Sequence, residues 1–142
     1  MNVAITGGNG FIGSHLSAMI NKLGHEVIYI SRSQRKVDKK NYYTYEDLFQ
    51  LRIKLKIDCF IHLASPNYDY ANDNSLEKGI TLLTSNILSV LDDYNCNKLI
   101  FFSSAKVYGE PSLSKEVIFY EDNNPCPVSD YGKEKLKAEN KI

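Results

Sequence analysis

The chain has 142 residues with 17 basic and 17 acidic side chains. That is one domain's length, able to bury about two-thirds of its unfolded surface, and the balanced charge offers no field to recruit nucleic acid. No apolar run approaches the roughly 20 residues of a membrane span and no basic stretch precedes the first apolar run, so the sequence reads as a cytoplasmic protein whose partner is a small molecule.

The elements follow in order. Val3-Ala4-Ile5-Thr6 is an apolar run of strand type, and Gly7-Gly8-Asn9-Gly10-Phe11-Ile12-Gly13 comes directly after it. Phe11, Ile12, Leu16, Met19, Ile20 and Leu23 then recur at helical spacing. The glycines fit both G-x-G-x-x-G (Gly8, Gly10, Gly13) and G-x-x-G-x-x-G (Gly7, Gly10, Gly13). Between a strand and a helix, such a turn aims backbone N–H groups and the positive end of a helix at one point, where a pyrophosphate can sit once no Cβ is in its way. Read without a ligand, the same segment is a glycine-rich turn.

Gly24 has the place of a helix C′ residue, and His25–Ile30 is β-branched and aromatic, a second strand. The position just past such a strand faces the adenosine ribose, where an acid would bond a free 2′-hydroxyl. Here it holds Ser31-Arg32-Ser33. A guanidinium grips phosphate with two parallel hydrogen bonds, which favours NADP over NAD; the alternative is a solvated basic loop continuing through Arg35, Lys36, Lys39 and Lys40.

A short helix is predicted over Tyr45–Lys56, a third strand over Asp58–Ala64, a loop over Ser65–Asn74 and the longest helix over Ser75–Tyr94. Lys98–Ser103 reads as a fourth strand, Ser104–Asp130 as mostly loop with Val117–Phe119 extended, and a final helix as running from near Ser129 through Ile142. This alternation predicts an α/β fold, a doubly wound parallel sheet whose ligands sit at the carboxyl ends of the strands.

Tyr131 and Lys135 lie four apart on one helix face. A phenol is a poor acid–base group at its ordinary pKa near 10, and a neighbouring ammonium favours its phenolate. Ser104 could hold the same substrate oxygen. Cys59, Cys96 and Cys126 form no C-x-x-C pair and read as free buried thiols, and with His15, His25 and His62 scattered no metal is expected.

Thr6–Leu16, His62-Leu63-Ala64, Ser103–Gly109 and Tyr131–Glu139 resemble, in order and spacing, the extended short-chain dehydrogenase/reductases, and within them the NAD-dependent epimerase/dehydratase family acting on nucleotide sugars. The resemblance implies one Rossmann domain over residues 1–142 that binds NAD or NADP, lacking the later strands and the C-terminal substrate lobe of that family. It implies Tyr131 as general acid/base, Ser104 on the sugar hydroxyl, and Lys135 on the nicotinamide ribose. It places Gly7, Gly10, Phe11, Ile12, Gly13, Ser31, Arg32, Leu63, Ala64 and Ser65 along the cofactor, with Asn86 as the helical asparagine supporting the active site and His62 structural. A homodimer through the long helix and the Tyr/Lys helix is also implied. Ser104–Glu110 with Pro127–Lys133 is most similar to bacterial enzymes of surface-polysaccharide sugar synthesis, 4-epimerases and 4-keto reductases among them. The alternative is a dinucleotide-binding fragment without catalysis.

Overall fold

The computed structural model describes residues 1–32, 41–65, 76–110 and 118–142. Five strands, β1 (Asn2–Thr6), β2 (Glu26–Ser31), β3 (Tyr42–Thr44), β4 (Cys59–His62) and β5 (Leu99–Phe101), form one sheet in the order β3-β2-β1-β4-β5. Every pairing is parallel, with Val3 of central β1 opposite Val27 on one side and Cys59 on the other. Val3, Ile5, Val27, Cys59 and Ile61 pack with Ile20 of α1 (Phe11–Lys22) on one face. The alternate residues Ala4, Ile28, Ile30 and Phe60 are buried too, so the sheet is covered on both faces, and this is why its strands read as apolar runs without alternation.

The end of α1 follows the sequence reading. Gly24 has φ +79°, its N–H reaches Asn21 O at 3.0 Å and that of His25 reaches Ile20 O at 3.2 Å, a Schellman closure.

Tyr42–Thr44 forms a strand that the sequence reading had not assigned, so the predicted third and fourth strands are β4 and β5. The predicted helix over Tyr45–Lys56 shortens to α2 (Tyr45–Phe49). It starts on a capping box, Thr44 with Asp47. It stops because Leu51 takes φ +54° while Arg52 N–H reaches back to Asp47 O at 2.8 Å, a Schellman closure built without glycine. The long helix, α3, spans Leu76–Leu91. The last helix, α4 (Asp130–Glu139), does not run through Ile142: Asn140 is its C-cap, and Lys141 and Ile142 close the end with bonds to Ala138 and Glu139 three residues back. Ser104 N-caps a 3-10 turn, Ala105–Val107, inside the predicted loop. Ile118 and Phe119 belong to no regular element; Val117, residues 66–74 of the Asn-rich loop, Ser75 at the predicted start of the long helix, and residues 33–40 with their basic side chains lie outside the described residues.

The chain divides into two compact units, Met1–Ala64 with Asn86–Phe102, and Ser65–Ser85 with Ser103–Ile142. The first holds the sheet. The second holds the 3-10 turn, α4 and the first part of α3.

Candidate functional site

In the first unit the chain leaves β1 through a turn closed by the Gly10 N–H on Gly7 O at 2.9 Å. A Cβ on Gly7 would stand 3.0 Å from Ala64 N, and Gly7 itself has φ +71°. A Cβ on Gly13 would stand 2.2 Å from Gly7 O and 2.7 Å from Gly8 Cα, so α1 begins directly against the turn. Gly10 by contrast meets only Gly7 O, at 3.3 Å. No side chain caps the first turn of α1 and no acid lies in it. Its leading N–H groups and positive helix end therefore have no acceptor from the helix's own cap, while Phe11 and Ile12 are exposed beside them. These residues fit a pyrophosphate: an open glycine, a tight backbone and no competing carboxylate.

A polar network underlies the turn. Thr6 Oγ1 accepts from Ala64 N–H at 3.2 Å and bonds His62 Nδ1 at 2.7 Å, and the Tyr45 phenol joins it through a hydrogen bond to Thr6. His62 is buried and structural in this sense, packed 5.5 Å from the Phe101 ring. Thr6 and Tyr45 were not among the residues singled out in the sequence. The signal for Thr6 was a hydroxyl ending an otherwise apolar strand. Burial pushes the Tyr45 phenol up to about 12, against the opposing effects of the Thr6 bond and the Arg32 charge. Ser31 is half-buried at the end of β2 and Arg32, the next residue, is exposed. Leu63 packs against the core beside Ala64.

In the second unit Ser104 Oγ accepts from Lys106 N–H at 3.2 Å. The 3-10 turn that it caps lies against the start of α4 so closely that a Cβ on Gly132 would stand 2.5 Å from Lys106 O. Ser129 Oγ caps α4 by accepting from Gly132 N–H. One turn further, Lys135 Nζ is 5.8 Å from the centroid of the Tyr131 ring, within cation–π range. Lys135 is 1% exposed. That burial lowers it to about 8, with Glu139 pulling the other way. The Oγ atoms of Ser65 and Ser103, also in this unit, are buried and have no hydrogen-bond partner among the described residues. Glu134, which the sequence reading passed over, is buried with its oxygens on Thr81 Oγ1 and Lys137 Nζ. Asn86 is exposed on the part of α3 in the first unit, its carbonyl accepting from Ser89 Oγ at 2.9 Å.

The depressed Lys135 has a consequence for stability. Its folded pKa lies below its unfolded value of 10.5, so between about 8 and 10.5 the unfolded chain binds more protons and stability rises with pH. Urea denaturation at pH 7.5 and 10 is expected to show a smaller alkaline gain in Lys135→Met than in the parent; equal gains would contradict the burial of this charge.

All three cysteines are free, but Cys126 is exposed, contrary to the expectation of three buried thiols; it follows Pro125 in an exposed loop, whereas Cys59 and Cys96 are buried in the first unit. Among the described residues no group of histidine, cysteine or acid side chains is placed to hold a metal, and no helix is long and apolar enough to cross a membrane.

A family model described as the NAD dependent epimerase/dehydratase family matches residues 3–141. The chain belongs to that family. It is 31% identical to a UDP-glucose 4-epimerase of Lactobacillus helveticus over 98% of its own length and 45% of the relative's. A UDP-glucose 4-epimerase of Cyamopsis tetragonoloba is 29% identical, with 96% of this chain and 45% of the relative covered. Among solved structures, UDP-glucuronic acid 4-epimerase from Bacillus cereus in complex with UDP-glucuronic acid and NAD superposes with a TM-score of 0.79 at 25% identity, over 99% of this chain and 51% of that one. The chain therefore spans about half the length of the relatives it matches.

Proposed function

We propose that the chain carries the dinucleotide site and the acid–base group of an enzyme that epimerises a nucleotide sugar, of UDP-hexose type, at a ring carbon. The observation that carries this reading is Lys135 Nζ set 5.8 Å from the Tyr131 ring on α4, in a chain whose curated relatives are named UDP-glucose 4-epimerases. The nicotinamide, when bound, supplies the hydride chemistry. The protein's part is electrostatic and positional. Backbone N–H groups at Gly10–Gly13 would hold the pyrophosphate beside Gly10, which carries no Cβ. The Tyr131 phenol takes and returns the proton of the substrate hydroxyl, and the Ser104 hydroxyl holds the same oxygen. Lys135 presents an ammonium that bonds the cofactor ribose and favours the phenolate form of its neighbour.

The family is NAD-dependent and the Bacillus cereus relative is described with NAD. Arg32 is the group in this chain that would meet a 2′-phosphate, which supports use of NADP as well. Arg32→Ala is expected to weaken NADPH binding about tenfold, the loss of one charge-assisted contact, and to leave NADH within about twofold. Equal effects on both, in a fluorescence titration, would remove Arg32 from the adenosine end.

Turnover is tested by incubating the chain with UDP-glucose and NAD+ and following the sugar anomeric protons by NMR. Appearance of the 4-epimer supports the reading. A second reading is dinucleotide binding without turnover; bound cofactor with unchanged sugar would select it.

A further inference from the structure

Helix α4 is not held by an apolar stripe of the kind that ordinarily docks a helix. Its buried residues are Gly132, Glu134, Lys135 and Ala138. Two contacts among the described residues tie it to other elements. At its first turn Gly132 lies against the Lys106 carbonyl. Two residues on, the Glu134 carboxylate, 2% exposed, accepts from Thr81 Oγ1 of α3 at 2.7 Å through Oε2 and from Lys137 Nζ at 2.7 Å through Oε1. A buried carboxylate with both oxygens engaged is costly to leave unpaired, so this pair holds its geometry firmly.

We propose that Glu134 is a positioning residue: its hydrogen bond to Thr81 fixes the rotation of α4 about its own axis and thereby the placement of Tyr131 and Lys135. Glu134 follows Tyr131 by three positions and directly precedes Lys135, so it stands about 60° round the helix from Tyr131 and about 100° from Lys135, and any roll of the helix moves all three together. A roll of about 20° would carry a side-chain tip roughly 2 Å around a helix of this radius, and displacement of about 1 Å is enough to cost an acid–base group much of its effect. The role in catalysis rests on the function proposed above; the anchoring itself does not.

The test reads Lys135 directly. In the chain labelled with [13Cε]lysine, with Lys135→Arg used for assignment, the Lys135 signal is expected to titrate near 8 because it is buried. Glu139 is the charge that acts on it; the other charged groups of α4 and the 3-10 turn are paired, Asp130 with Lys133, Glu134 with Lys137 and Lys106 with Glu110. Thr81→Val replaces none of these charged groups and frees one oxygen of the Glu134 carboxylate. That variant keeps the volume but removes the donor, and is expected to raise the Lys135 midpoint above about 9 as α4 rolls and water reaches the ammonium. Thr81→Ser, which restores the hydroxyl, and Glu134→Gln, which keeps an acceptor, are expected to stay near the parent. Should Thr81→Val fail to fold, Thr81→Ala removes the same donor and is read the same way. A folded Thr81→Val that still titrates near 8, or a Thr81→Ser that shifts as far as Thr81→Val, would overturn the proposal. A chain that shows these shifts but binds no dinucleotide contradicts the proposed function and leaves the anchoring standing.

Discussion

Gly13→Ala is expected to abolish dinucleotide binding and to lower stability by about 3 kcal/mol, the upper range for forcing one carbon into packed structure. The added Cβ would stand 2.2 Å from Gly7 O, 2.7 Å from Gly8 Cα and 2.9 Å from Gly7 C. All three are backbone atoms, so no rotamer change relieves the contact. Either α1 withdraws from the turn or the turn opens, and both misplace the N–H groups proposed to face the pyrophosphate. Gly24→Ala is the matching control. Nothing lies within 4 Å of a Cβ there, and the strain comes only from φ +79°, worth about 1 kcal/mol; binding is expected to persist. Urea denaturation and NADH titration of both variants check this pair. A Gly13→Ala chain that binds like the parent would contradict the placement of the site at this turn.

Tyr131→Phe is expected to lower turnover about 100- to 10,000-fold, the usual contribution of a positioned acid–base group, while changing NADH affinity less than about threefold. Phenylalanine keeps the half-buried ring and its 5.8 Å approach to Lys135 Nζ, and removes the hydroxyl. Packing and cofactor contacts are thereby separated from proton transfer. The decisive readings are the initial rate of 4-epimer formation from UDP-glucose and the reduction of bound NAD+ at 340 nm. Equal rates in the parent and Tyr131→Phe would remove the phenol from the mechanism.

The parts of the fold that the sequence announces are those governed by local chemistry. Buried parallel strands show as continuous apolar runs, which located β1, β2, β4 and β5, and Gly24 marked the end of α1 because glycine occupies the left-handed region at low cost. Leu51 takes positive φ as well, at +54°. There the conformation is imposed by the surrounding structure, so the early end of α2 left no glycine to read. Strand β3 is three residues long and half-buried, too short for periodicity to register. The glycine turn and the Tyr131–Lys135 pair are legible as patterns because spacing is itself the signal, and Ser104 by its place just after a strand. The Thr81–Glu134 bond joins residues 53 apart in sequence, and the Thr6–His62 bond residues 56 apart. Pairings of that range are products of the fold, and a lone threonine or glutamate carries no mark of them.

The most direct test of the central claim is titration of the purified chain with NADH and NADPH, followed by nicotinamide fluorescence, with Gly13→Ala alongside. Saturable binding of at least one of them by the parent, lost in Gly13→Ala, is the expected result. A parent chain that is folded by far-UV circular dichroism and binds neither would contradict it.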